Sequence, residues 1–304
     1  MNNITIGIPR SLFYYYYGTL WKYFFKELNV NTILSPKTTP IIMKLGTDLA
    51  NDEMCLSFKN YLGHIKYLED KCDYILVPRI DNYSINDQTC TNFLAAFDIV
   101  SNFIKTPILN YNISFTNHET EEFAFYVIGS ALGFSKSNIM RAYYKAKEFE
   151  KEEKRAKERL NERKLKSNKK KILVVGHPYN LYDGMIGEPI IKFLVKADVE
   201  VLYSDAFPES LTSKLSKHLS NTLYFKYSKE NIGAIELVKN YIDGVVFLTT
   251  FPCGLDSLVN ELVMRRISLP YLNLVIDDMT GTGGIETRLE SFLDILEERS
   301  MKHE

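Results

Sequence analysis

Short apolar runs alternate along this chain with longer stretches in which apolar residues recur every three or four positions. In the first half, the runs Ile4 to Ile8, Asn31 to Leu34, Tyr74 to Val77 and Ile108 to Asn112 predict strands. Helical periodicity falls near Ser11 to Leu28, Pro40 to Ala50, Cys55 to Glu69, Asn92 to Phe103 and Glu121 to Leu132. The second half repeats the pattern, with strands at Lys171 to Gly176, Glu200 to Tyr203, Thr222 to Tyr227, Val245 to Thr249 and Tyr271 to Ile276. Helices are predicted there near Gly187 to Lys196, Glu209 to Leu219, Glu230 to Tyr241, Ser257 to Arg266 and Ile285 to Glu297. Parallel neighbours need a helix-length crossover, so this alternation predicts parallel sheets covered on both faces. The expected fold class is α/β, with two doubly wound parallel-sheet domains.

Between the halves, Ser137 to Lys171 reads as one highly charged helix in which residues such as Glu148, Lys151, Glu152, Lys154 and Arg155 alternate in sign. Opposite charges three or four apart support a solvated helix, and the acidic residues cancel the basic ones. The expected division is an N-terminal α/β domain over 1–136, a charged helical connector over 137–170 and a C-terminal α/β domain over 171–304.

With 304 residues and 45% hydrophobic content there is ample material for two cores, and a net charge of -1 argues against broad capture of nucleic acid. No stretch approaches the ~18 apolar residues of a membrane helix. The start MNNITIGIPR runs straight into a strand pattern, which reads as leaderless and cytoplasmic. Four cysteines in such a chain read as thiols or metal ligands rather than disulfides.

Three of those cysteines share a context. Cys55 opens a helical pattern, Cys90 immediately precedes one, and Cys253 lies in Phe251-Pro252-Cys253-Gly254 between a strand and a helix. Helix N-termini present unpaired N–H groups and the positive end of the macrodipole, which favour a thiolate or an anionic cluster. Their wide separation excludes compact zinc-ribbon and ferredoxin motifs, so a shared site needs tertiary structure. Three ligands would leave one coordination position open. Each cysteine taken alone reads better as small apolar core filler, as Cys72 does between Lys71 and Asp73.

His64, nine residues past Cys55, is a supporting or surface residue by helical phase. His177 sits at the crevice end of the first strand of the second half, suited equally to a site or to a structural hydrogen bond. Thr280-Gly281-Thr282-Gly283-Gly284 opens the last helix and could hold an anion on its N–H groups, but lacks the lysine of a P-loop. No ATP hydrolysis by this chain alone is expected. In the aromatic run Phe13 to Tyr17, which spans more than one turn, at least one ring must face away from the core.

Taken together, Ile6-Gly7-Ile8-Pro9-Arg10, Asp52-Glu53-Met54-Cys55-Leu56 with Gly63-His64, Asp73-Tyr74-Ile75-Leu76-Val77-Pro78-Arg79, Gly176-His177-Pro178-Tyr179-Asn180, Cys253-Gly254-Leu255-Asp256 and Thr280-Gly281 resemble the 2-hydroxyacyl-CoA dehydratase superfamily, in its activase-related branch. The resemblance implies an iron-sulfur protein in which Cys55, Cys90 and Cys253 hold a [4Fe-4S] cluster or a double-cubane cluster. His64, His177, Thr280 and Gly281 would stand around it without ligating. It further implies an ATP-dependent activator as electron donor and a reductive or radical reaction, with an acyl-CoA as candidate substrate. The alternative is a non-catalytic scaffold or partner of that system, with zinc on the same thiols a weaker reading. A homodimer shielding the cluster from water is compatible with either.

Overall fold

A computed structural model describes residues 4–279 and 281–303, less the side chains of Thr282, Ser300, Lys302 and His303. In chain order the elements begin β1 (Thr5–Ile8), α1 (Tyr14–Glu27), β2 (Asn31–Leu34), α2 (Pro40–Thr47), α3 (Leu56–Leu68) and β3 (Tyr74–Ile80). A small hairpin of β4 (Asn82–Ser84) and β5 (Asp87–Gln88) follows, then α4 (Thr91–Ser101), β6 (Ile108–Ile113), α5 (Glu121–Ala131) and the long helix α6 (Lys136–Leu165). The remainder is β7 (Lys171–Val175), α7 (Pro178–Leu181), α8 (Gly187–Lys196), β8 (Glu200–Tyr203), α9 (Glu209–Leu215), a 3-10 turn, α10 (Lys226–Val238), β9 (Gly244–Thr250), α11 (Gly254–Met264), β10 (Tyr271–Ile276) and α12 (Thr282–His303).

Two compact units result. The first takes the chain up to Asp52, Ser57–Lys154 and Tyr224–Lys226; the second takes Glu53–Leu56, Arg155–Leu223 and the chain from Tyr227 onward. The first unit holds a parallel sheet in the order β2-β1-β3-β6, the second a parallel sheet in the order β10-β9-β7-β8. Each chain path starts at an inner strand, adds one neighbour, then crosses back to build the other side. This is doubly wound topology, as the alternating pattern implied.

In the first unit, Ile6, Ile8, Ile75, Leu76 and Val77 bury both faces of the inner strands. Phe24 of α1 packs on Phe125 of α5 at 4.5 Å between ring centroids, while Trp21 and Tyr17 meet Tyr111 of β6. Phe13 and Tyr17 are buried, and Tyr14, Tyr15 and Tyr16 are partly exposed, as a run longer than one turn requires. Gly46 and Gly63 let α2 and α3 touch backbone to backbone: a Cβ at Gly46 would strike the Lys59 carbonyl, and one at Gly63 the Ile42 carbonyl.

β3 continues through Pro78 to Ile80, past the expected end at Val77. Ile75 and Asp81 donate to Pro107 and Ile113 on the β6 side, so the even-numbered Pro78 turns its missing N–H towards β1. There β1 is paired only as far as Gly7 with Ile75, so no ladder bond is lost.

In the second unit, Leu173, Val175, Val245 and Phe247 form one face with Ile232, Ile235 and Val238 of α10 and Val259 and Val263 of α11. On the other face Phe292 and Leu296 of α12 close over Gly244. The strand expected at Thr222 to Tyr227 does not form. Phe225 makes a single bridge to Gln88 and α10 begins at Lys226, because one isolated bridge offers no ladder to extend. The charged helix forms as one element, yet it is not uniformly solvated. Ile139, Ala142 and Ala146 are buried, and Asn161 binds the backbone of Tyr203 and Ala206 through its amide.

Candidate functional site

The three singled-out cysteines each stand at a helix start and are partly exposed, and none of the chain's four is in a disulfide. Cys55 directly precedes α3. Cys90 is the N-cap of α4, with an extended backbone (φ -75, ψ 156) and no hydrogen bond from its thiol to the first turn. Its segment is fixed to the end of β3: Thr89 donates its amide to Asp81 and its hydroxyl to Ile80 and Asp81. Cys253 is the N-cap of α11 after a cis Phe251-Pro252 bond, and its amide donates to Thr250 at 2.8 Å.

Within the second unit, the Leu56 amide donates to the Phe251 carbonyl at 2.9 Å, and the Phe251 amide to Ile276. That bond ties the chain beside Cys55 to the loop that carries Cys253. Cys90 belongs to the first unit. Among the described residues, no group of three or more His, Cys, Asp and Glu side chains is arranged to hold a metal ion. The donor chemistry, thiols at helix N-termini, suits an anionic cluster; the arrangement does not itself form a three-ligand group.

Cys72 lies elsewhere, against Gly7 of β1, with its thiol 3.5 Å from the Leu68 carbonyl. Burial pushes that thiol up to about 11.

His64 is fully buried on α3 rather than on the surface. Its Nδ1 lies 2.8 Å from Ser35 Oγ and its Nε2 3.0 Å from Thr38 Oγ1, and Ser35 Oγ also accepts the Arg10 amide. Both ring nitrogens thus brace the loop after β2, and Ser35 ties that loop to Arg10 after β1. Burial, and then the Arg10 guanidinium, lower its pKa to about 3, so the ring is neutral. Met279 donates its amide to Asp277 ahead of the glycine-rich turn. Thr280 lies outside the described residues, and Gly281 is exposed, with nothing within 4 Å of where a Cβ would stand.

His177 caps α7 at the carboxyl end of β7, 5% exposed. Its Nε2 lies 3.0 Å from Oδ1 of Asp256, in the first turn of α11. Tyr179 stacks on the ring at 4.9 Å, and Tyr227, at the start of α10, meets it edge-on at 6.1 Å. One layer below, Ser204 Oγ joins the Gly176 amide and carbonyl to Asn231 of α10. Asp256 was not singled out as a site residue from sequence. Its signal was its position, three residues past the Cys253 N-cap, where a carboxylate suits the positive end of the helix dipole.

No curated protein matches the chain. A zinc-bound mutant variant of AdcAII from Streptococcus pneumoniae aligns over 97% of this chain and 98% of that one, at 13% identity and a TM-score of 0.30, too low to carry an argument. Residues 5–207 match the family model described as the CoA enzyme activase uncharacterised domain. That span runs from β1 through β8 and so takes in Cys55, Cys90 and His177, and on this match the chain belongs to the CoA enzyme activase uncharacterised domain family (DUF2229).

Proposed function

We propose that the chain is an electron-handling component of a CoA enzyme activase system. In this reading Cys55, Cys90 and Cys253 hold an iron-sulfur cluster, [4Fe-4S] or double-cubane, which takes low-potential electrons from a separate ATP-dependent activator. The reaction served is reductive or radical, with an acyl-CoA as substrate class, as in the 2-hydroxyacyl-CoA dehydratase superfamily. The observation that carries the reading is that each of the three cysteines opens a helix and stays partly exposed. Family membership supports the link to a CoA enzyme activase system. A bound cluster would supply one-electron transfer. The chain's part is to present the thiols at helix N-termini, where the helix dipoles offset the negative charge of a bound cluster. Leu56 and Phe251 would hold two of the three ligand segments in register through their backbone bond.

The test is anaerobic mixing of the iron-loaded chain with an ATP-dependent activator. Bleaching of the cluster absorption only when activator and ATP are both present supports the proposal. Reduction that needs neither would remove the activator from it, and a chain that takes up no iron would be a non-catalytic partner.

A further inference from the structure

The chain enters the first sheet at β1, adds β2 on one side and then crosses to β3 on the other, so the order reverses between β1 and β3. Sheets of this kind take ligands beyond the carboxyl ends of the strands at that point. Arg10 stands there, two residues past the end of β1, and is partly exposed. Its guanidinium has no carboxylate partner among the described residues; the Tyr14 ring lies 5.9 Å from it, and its Nε is buried without a hydrogen bond. Holding a cation half-buried with no counter-charge costs free energy that an anionic ligand would offset.

α3 leads directly into the parallel strand β3, so it runs against the strands and its N-terminal turns lie near their carboxyl ends. Asn60 is one turn ahead of His64 on this helix and shares its flank. That flank is polar: Ser57, Asn60 and His64 are buried on it, while Phe58, Tyr61 and Ile65 fill the opposite, core side. His64 reaches Ser35 and Thr38, and Ser35 Oγ accepts the Arg10 amide at 2.7 Å, which brings Arg10 to the same flank. Asn60 is 0% exposed, yet neither its amide oxygen nor its amide nitrogen has a hydrogen-bond partner. Leaving a buried primary amide wholly unpaired is costly, and a group that satisfies it must both accept from Nδ2 and donate to Oδ1.

The first amides of α1, Tyr14 to Tyr17, are bonded to the carbonyls of Ser11, Leu12 and Phe13, so the donors available at this point are side chains. A guanidinium pairs with oxyanions through parallel N–H bonds. Carboxylate and sulfate ions only accept, whereas a phosphate that keeps one proton also donates.

We propose that Arg10 and Asn60 bind a phosphate group at this end of the first sheet. The guanidinium and Asn60 Nδ2 donate to its oxygens, its remaining P–OH donates to Asn60 Oδ1, and Ser35 with His64 holds the Arg10 segment beside it. All four residues belong to the first unit, and the site requires no cluster. Free phosphate and a phosphomonoester share the required chemistry.

Equilibrium dialysis of the full chain with labelled inorganic phosphate tests it, at roughly pH 6 where monoesters also keep a proton in part. The expected result is saturable binding that weakens about tenfold or more in Arg10→Gln and in Asn60→Leu, less in Arg10→Lys, with sulfate competing about tenfold more weakly than phosphate. Displacement by adenosine monophosphate would assign the site to a phosphomonoester, and failure to displace would assign it to free phosphate; both support the site. No saturable binding, undiminished binding in folded Arg10→Gln and Asn60→Leu, or sulfate competing as well as phosphate would overturn the proposal. Circular dichroism of each variant separates loss of binding from loss of fold.

Discussion

His177 Nε2 and Asp256 Oδ1 lie 3.0 Å apart, joining two residues 79 positions distant in the chain across the switch point of the second sheet. The pair is buried, so removing the carboxylate takes from the imidazole a partner that water cannot readily replace. Asp256→Ala should lower stability by about 1–3 kcal/mol, whereas Asp256→Asn, whose amide oxygen still accepts, should lower it less. Urea denaturation monitored by circular dichroism checks this. An Ala variant as stable as the parent would show the pair to be inert.

The approach of α2 to α3 depends on two glycines whose added Cβ atoms would meet backbone carbonyls, which cannot rotate away as side chains can. Gly46→Ala and Gly63→Ala should each cost about 1–3 kcal/mol through forced separation of the helices. Gly254→Ala, with no atom within 4 Å, should be tolerated. Thermal melts of the three variants give the comparison, and equal midpoints would contradict the packing described.

His64 supplies a pH dependence of definite sign. Its folded pKa of about 3 lies below the ordinary value of 6.5, so between these limits the unfolded chain binds the extra proton. Stability should fall as pH drops below ~6.5, by up to about 1.4 kcal/mol per pH unit from this group. His64→Gln should reduce that slope. In NMR the His64 ring should show no titration between pH 7 and about 5, and a midpoint near 6.5 would contradict its burial.

Burial holds the Cys72 thiol protonated, with its pKa pushed up to about 11. Alkylation of Cys72 should therefore be slow at neutral pH and accelerate as pH approaches that value. Peptide mapping after timed iodoacetamide treatment reads it. Rapid modification of Cys72 at pH 7 would place it in a different environment from the one against Gly7.

Elements with strong periodicity were legible in the sequence, because alternation of apolar runs and amphipathic helices reports local burial directly. Thr222 to Tyr227 misled for the same reason: its aromatic and β-branched residues suit a strand, but only Gln88 pairs with it. Pro78 hid the end of β3, since its tolerance depends on where β1 stops, a long-range fact. The helix-opening positions of Cys55, Cys90 and Cys253 were readable from local pattern. The partner of His177, the hydroxyls that brace His64 and the burial of Thr249 and Ser228 were not, because each follows from the packing of segments distant in the chain.

Whether Cys55, Cys90 and Cys253 act as one ligand set is measured most directly by the iron bound per chain after anaerobic reconstitution. The expected result is a stoichiometric cluster in the parent chain, retained in Cys72→Ala and largely lost in each of Cys55→Ala, Cys90→Ala and Cys253→Ala, since removing one of three thiolates leaves too few anionic ligands. Equal iron in Cys253→Ala and the parent, or no iron in the parent, would contradict it.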